Sequence, residues 1–462
     1  MHKEVKTMLE CVPEGSVVHT TGKINPAKTC QPIGAMYAAL GIHGCLPHSH
    51  GSQGCCAYHR MHLSRHFRDP VLASSSCFTE GASVFGGAAN LKTSIKNVFA
   101  IYNPEIMAVH TTCLSETIGD DLPNIIKTAE IPEGKVVIHV NTPSYQGSHI
   151  TGFSGMVKAM VSYLAQAEGA EKKNQLNVIP GFVNPGDMRE IRRIVGLLGV
   201  KMIMFPDTSD VLDSPLTSKY EMYPKGGATI AEIRDSANSS ATLALGAWAS
   251  NDATDLLQEK FGVTGIPLKL PIGLKATDDF IMAVKDWFGI DVPASLATER
   301  GQVVDTLIDT HFHYQGKKVA IFGDPDHVIA LTEFVITMGM IPKYILTGTP
   351  GKQFDIEIQK LLSGAGIEGS KVKAEGDLLE LQQWIRAEPV DLILGTTYGK
   401  YIARAEDIPL VRVGFPILDR AVHPLMPVVG YRGCLRLIEQ ISNALLDRRD
   451  RDCLDEDYEL VL

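Results

Sequence analysis

The chain repeats one piece of grammar that few architectures accept: a short apolar run, a turn, a helical pattern, then another apolar run. The clearest copy is KKVAIFGDPDHVIALTEFVITMGMIPKYILTG. Residues 319–322 form its first run, which ends at Gly323; residues 327–338 have helical spacing, and Tyr344 opens the second run. A second copy covers residues 177–205, where NVIPGF leads through NPGD into MREIRRIVGLLG and then KMIMF, with Asp187 placed to cap the helix. A third reads VDLILG, TYGKYIAR, PLVRVGF. Two strands joined through a helix lie parallel, so the expected fold is α/β: three Rossmann-like domains with open, mostly parallel sheets flanked by helices. Polar stretches at 166–174 and 293–316 place the seams, giving domains 1–165, 166–300 and 301–462. The charge-dense tail DRRDRDCLDEDYELVL is expected to be a surface helix or interface arm.

A chain of 462 residues exceeds one ordinary core, and 45% hydrophobic residues suffice to fill several. The formal charge of -10 leaves no basic stripe for a phosphate backbone, so nucleic acid is not an expected partner. No run approaches the roughly 18 apolar residues of a membrane helix, and MHKEVKTMLE lacks the apolar centre of a signal peptide. The expected location is cytoplasmic. No turn carries the three spaced glycines of a dinucleotide site, which argues against a bound nicotinamide or flavin.

Nine cysteines in a reducing compartment are not a disulfide framework. Seven of them (Cys11, Cys30, Cys45, Cys55, Cys56, Cys77 and Cys113) crowd the first quarter, while Cys434 and Cys453 lie far beyond it. Three stand in segments that read as loops: TCQPIGA around Cys30, HGSQGCCAYHR around Cys55 and VHTTCLSETIGDD around Cys113. The last follows an apolar run, EIMAVH, and the ends of parallel strands are where such sheets place ligands. Their wide spacing is not that of a zinc site, which uses close pairs. Dispersed thiolates could instead meet around a large iron–sulfur cluster, and three are too few for one, so another chain would complete the set.

Blander readings stay open at each position. A buried cysteine is commonly a small hydrophobe, which is the preferred reading for Cys45, Cys77, Cys434 and Cys453. Cys55 and Cys56 are adjacent, so their side chains diverge and one of them is expected to pack inward. His43, His48, His50, His59, His62 and His66 are dense enough to suggest a metal, and His62 and His66 have i, i+4 spacing. No glutamate follows the first of that pair, so solvated or hydrogen-bonded histidines are the preferred reading. The acids of SETIGDD could bind a divalent ion, yet Asp120 and Asp121 more simply cap or flank a helix, and Ser144 in NTPSYQGSH reads as a turn former after the predicted strand KVVIHV. Beside a cluster, a hydroxyl there could add a hard oxygen ligand.

The segments INPAKTCQPIGAMYAALGIHGCLPHSHGSQGCCAYHR, RHFRDP, FTEGASVFGG, HTTCLSETIGDDL and NTPSYQGSHITGF together resemble the nitrogenase molybdenum–iron protein beta-chain family. The likeness continues through GFVNPGDMREI, FPDTSDVLDSP, ERGQVVDTLID, GDPDHVIAL, TYGKYIAR and VGFPILDR, and so spans nearly the whole chain. The resemblance implies an alpha2-beta2 heterotetramer in which each alpha–beta interface holds an [8Fe-7S] P-cluster. The family's beta-chain cysteine ligands fall on Cys30, Cys55 and Cys113, and its serine ligand to the oxidised cluster on Ser144. It further implies a transient, ATP-hydrolysing iron protein as electron donor. The iron–molybdenum cofactor, where dinitrogen becomes ammonia, is implied in the partner alpha chain only, so no catalytic residue is assigned here. Tyr58 matches a family tyrosine between P-cluster and cofactor, with packing as its other reading. Asp69 matches a carboxylate at a divalent ion between beta chains, where many relatives have Glu. TCQP stands at residues 29–32, earlier than in many beta chains, so a smaller contact with the alpha chain is expected.

Alternatives from the same superfamily are a beta chain of a vanadium or iron-only nitrogenase, a cofactor-assembly scaffold, or a protochlorophyllide reductase chain. HGSQGC rather than HGGQGC favours molybdenum, while intact HTTCLSE and TPSY disfavour a scaffold. A non-enzymatic alternative is a Rossmann-like ligand-binding protein with cysteines that merely pack.

Overall fold

A computed structural model describes residues 25–458 apart from 170 and 220. Cys11, MHKEVKTMLE and residues 459–462 of the tail lie outside the described residues. Among the described residues, thirteen strands form three open sheets. The first contains β1 (Cys45–His50), β2 (Ser74–Ser75), β3 (Ile106–Thr111) and β4 (Val136–Val140), in the order β2-β1-β3-β4. The second contains β5 (Lys173–Ile179), β6 (Met202–Met204), β7 (Ser239–Leu245) and β8 (Thr264–Leu268), in the order β6-β5-β7-β8. The third contains β9 (Lys318–Gly323), β10 (Ile341–Thr347), β11 (Lys371–Lys373), β12 (Leu392–Gly395) and β13 (Leu410–Arg412), in the order β11-β10-β9-β12-β13.

Every strand pairing within these sheets is parallel. The cause is visible in composition: central strands such as β3, IMAVHT, are buried along their whole length because helices cover both faces. An apolar core runs from helix Gln31–Leu40 through the second sheet to the C-terminal helix Gly430–Asp452. Two smaller clusters lie in the first and third sheets. Among the described residues no helix is long and apolar enough to cross a membrane.

Local chemistry explains how the helices begin. In NPGD the cap is Asn184, not Asp187; Asp187 sits three residues on, and its Oδ2 accepts the Asn184 N–H at 3.0 Å. Asp187 Oδ1 accepts the Val428 N–H at 2.6 Å, which ties this helix start to the segment leading into the last helix. Asp121 caps helix Leu122–Lys127, as expected, whereas Asp120 accepts the Gly87 N–H at 3.0 Å and faces His50 Nε2. Residues 294–314, inside the second expected seam, form one 21-residue helix, and the first half of the described tail continues helix Gly430–Asp452.

One helix crossing sets up the site. Helix Gln31–Leu40 is buried at every residue and packs on helix His149–Leu164. A Cβ on Gly34 would lie 1.7 Å from the His149 carbonyl oxygen, and one on Gly152 would lie 1.9 Å from that of Gln31. Only two glycines let these backbones touch.

Candidate metal–sulfur site

β1 is flanked by β2 on one side and β3 on the other, so connections leave its neighbourhood in opposite directions and open a crevice beyond the strand ends. Register pairs His50 with Thr111 at that edge. Cys55 follows β1 and Cys113 follows β3. The two turns touch: the His50 carbonyl accepts the Thr112 N–H at 3.0 Å and the Ser115 hydroxyl at 2.7 Å. Gly51 at φ +146 makes this approach possible, since a Cβ there would lie 1.9 Å from Thr112 Oγ1.

The loop-like setting expected for the cysteines needs correction. Cys55 lies in the first turn of helix Gln53–Phe67, which Ser52 caps by accepting the Gly54 N–H at 3.3 Å. Cys113 is the first residue of helix Cys113–Ile118. Cys30 alone is extended, at φ -66 and ψ 147, and is itself the N-cap of helix Gln31–Leu40. Pro32 falls in that helix's first turn, where its missing N–H costs nothing, so it starts the helix rather than excluding it.

Ser144 is brought to Cys30 by stitches between residues 28–31 and 143–149. Lys28 Nζ donates to the Gly147 carbonyl at 2.8 Å, Gln31 Nε2 to the Pro143 carbonyl at 2.8 Å, and the His149 N–H to the Thr29 carbonyl at 3.1 Å. The Ser144 side chain lies beside the Cys30 thiol. Lys28, Gln31 and His149 escaped the sequence reading because their partners lie over a hundred positions away; only the pairing of TCQP with TPSYQGSH hinted at them.

Electrostatics shows which thiols share this space. Burial pushes the Cys30 thiol up, the Ser144 side chain partly offsets this, and Cys113 raises it further. Burial also pushes Cys55 up, followed by the charges of Cys113, Cys30 and Cys56. A charge on Cys113 thus opposes ionisation of both Cys30 and Cys55, and one on Cys30 opposes that of Cys55. Cys56 faces elsewhere: its buried Sγ lies 3.5 Å from the Ser74 carbonyl. Cys45 and Cys434 are buried, while Cys77 is exposed.

Among the described residues, no three His, Cys, Asp or Glu side chains close on a single metal ion. The donor set therefore suits a wide, multinuclear group better than a lone ion: three soft thiols and a hydroxyl spread around a crevice. His62 and His66 diverge, with His62 near Tyr398 and His66 held by Asn184 and the Ile417 N–H. His48 and His50 share Ser76, so the hydrogen-bonded reading of these histidines holds. Asp69 is half-buried, and its carboxyl is raised by burial and by Asp213.

Apolar side chains stand uncovered on the elements that carry the thiols. Tyr58, on the helix of Cys55, is 66% exposed, which removes packing within this chain as its role; Tyr145, beside Ser144, is 61% exposed. Phe85 ends helix Glu80–Phe85, which packs on the helix of Cys113, and is 90% exposed. Large aromatic side chains uncovered on three elements beside the thiols are the kind of surface that a partner covers.

Comparison with known proteins agrees with this fold. The chain matches the family described as nitrogenase component 1 type oxidoreductase over residues 30–446, and it belongs to that family. Within it, the likeness is to nitrogenase molybdenum-iron protein beta chains. That of Clostridium pasteurianum is 58% identical over 458 residues, covering 98% of this chain and 100% of the relative. That of Frankia alni is 43% identical, covering 95% of this chain and 85% of the relative. A solved chain of nitrogenase Cp1 at pH 6.5 superposes with a TM-score of 0.96 at 57% identity, covering 98% of this chain and 100% of that one. A chain of nitrogenase Cp1 at pH 5, with a TM-score of 0.72 at 17% identity, covers 98% of this chain and 95% of that one and shares the fold.

Proposed function

We propose that this chain is the beta subunit of a molybdenum nitrogenase, an oxidoreductase that works only as part of an alpha2-beta2 complex in the cytoplasm. Cys30, Cys55 and Cys113 would hold this chain's share of an [8Fe-7S] P-cluster, and cysteines of the alpha chain would hold the rest. Bound there, such a group would supply an electron relay between the ATP-hydrolysing iron protein and the iron–molybdenum cofactor of the alpha chain, for reduction of dinitrogen to ammonia. Residues 1–165, 166–300 and 301–462 would be the three domains, with the first carrying the ligands.

One observation carries this reading: Cys113 raises the cost of ionising both Cys30 and Cys55, which brings the three thiols to one crevice. Thiolates so placed need a shared soft cation, and iron supplies it. The N-termini of helices Gln31–Leu40 and Gln53–Phe67 add partial positive charge beside Cys30 and Cys55, which favours the thiolate form. Ser144 stands ready with a harder oxygen for a more oxidised metal. The uncovered Tyr58 and Tyr145 give the alpha chain a surface to close the site against water.

The test is iron and acid-labile sulfide in the complex purified with its alpha chain. Cys113→Ala should lower both, whereas Cys77→Ala, at an exposed position, should leave them near the parent level. Equal iron in the two variants contradicts the assignment.

A further inference from the structure

The segments carrying Cys30 and Ser144 are gripped together by one buried side chain that no motif singled out. His149 Nδ1 accepts the Thr29 N–H at 3.4 Å while the His149 N–H donates back to the Thr29 carbonyl at 3.1 Å. Thr29 is the immediate neighbour of Cys30, and residues 143–149 hold Ser144. The other ring nitrogen, Nε2, lies 2.7 Å from Asp324 Oδ1, and the two side chains are only 1% and 2% exposed. This contact is close but bent, too far off line to satisfy Nε2 as an aligned hydrogen bond. Because Nδ1 accepts, the ring's proton is assigned to Nε2, where it faces the carboxylate.

Asp324 belongs to a different part of the fold. It directly follows β9 and is the N-cap of helix Pro325–Thr337, so the third sheet fixes it. The same join recurs one residue away, where the Ser148 and Thr349 hydroxyls are 2.9 Å apart. Phe182 and Phe415 pack against the His149 ring at 5.0 and 5.4 Å, leaving it no room to swing. Burying an imidazole against a carboxylate is costly compared with apolar packing of the same volume. A purely space-filling role would not call for it.

We infer that His149 is a positioning residue: anchored by Asp324, it fixes Thr29 and so sets how the Cys30 thiol and the Ser144 hydroxyl face each other across the metal–sulfur site. This rests on the ligand reading above. Through Asp324 the third sheet then determines whether Ser144 can join the thiolates when the metal is oxidised.

Two conservative variants separate the contacts. His149→Asn keeps an acceptor where Nδ1 stands and gives up Asp324; His149→Gln keeps an N–H where Nε2 stands and gives up Thr29. In the complex purified with its alpha chain, both should retain iron near the parent level. At a potential where the parent is half oxidised, His149→Gln should show a severalfold smaller paramagnetic signal from the oxidised group, and His149→Asn, which loses the Asp324 anchor, should fall in the same direction by less. Equal signals in the parent and both variants, with only the thermal midpoint lowered, would overturn the inference. If His149→Gln does not assemble, Asp324→Asn carries the test, and it must shift the signal in the same direction or the inference falls. A Cys30→Ala control that keeps full iron would instead sink the ligand reading, which is a separate outcome.

Discussion

Cys55 and Cys56 sit side by side on one helix, and successive helical residues point about 100° apart. That rotation sends Cys55 toward the crevice with Cys30 and Cys113 and leaves Cys56 buried against Ser74. Cys56→Ala should therefore keep the iron of the complex and cost about 1 kcal/mol of stability for the lost packing. Cys55→Ala should lose iron; metal analysis of the two purified complexes decides between them. The divergence was legible from adjacency alone, but the surroundings were not. GSQGCC reads as a loop because glycine and serine break helices in isolation, whereas here Ser52 caps a helix that Gln53 and Gly54 already belong to. Tyr58 shows the same limit: whether an aromatic packs inward or waits for a partner depends on which face the rest of the chain covers.

At the scale of elements, the strand–helix–strand grammar transferred almost directly. The run expected at 319–322 became Lys318–Gly323, the helical pattern at 327–338 became Pro325–Thr337, and the run opening at Tyr344 became Ile341–Thr347. Apolar periodicity is a local signal, and continuous burial of parallel strands makes it strong. The contact between helices Gln31–Leu40 and His149–Leu164 was not legible, because close approach at Gly34 and Gly152 is a long-range property of two segments with no local mark beyond the glycines. It is also testable. Gly34→Ala would drive a Cβ to 1.7 Å from a backbone oxygen, which cannot rotate away. The substitution should cost about 3 kcal/mol or more, at the upper end of overpacking, and lower the denaturant midpoint of the complex. An unchanged midpoint would mean that the two helices are not in backbone contact.

Across the whole molecule, the three sheets meet through buried polar groups that the sequence displayed only as scattered histidines and acids. Burial, reinforced by neighbouring positive groups, lowers His48 and His66 to about 3 and His59 and His423 to about 4, from an ordinary value of 6.5. Each folded value lies below the unfolded one, so the unfolded chain binds more protons between them. Stability from these groups is complete above about pH 6.5 and is lost as pH falls toward 4, by up to about 1.4 kcal/mol per pH unit for each histidine. Asp326 works the other way. Burial pushes it up to about 7, so its contribution favours folding at lower pH, and Asp69 and Asp187 shift the same way, but the lowered histidines outnumber these carboxyls. The denaturant midpoint should consequently be lower at pH 5 than at pH 7.5, and a midpoint that rises on acidification would show that these histidines are not buried neutral.

The central claim concerns thiols far apart in sequence that converge at a surface left open for another chain. An anomalous-difference map recorded at the iron edge, on crystals of the complex with the alpha chain, addresses it most directly. The account predicts a compact multi-iron peak within bonding distance of the sulfurs of Cys30, Cys55 and Cys113 and shared with the neighbouring polypeptide. A map with no iron at that crevice, or with iron bound away from these three sulfurs, would contradict it.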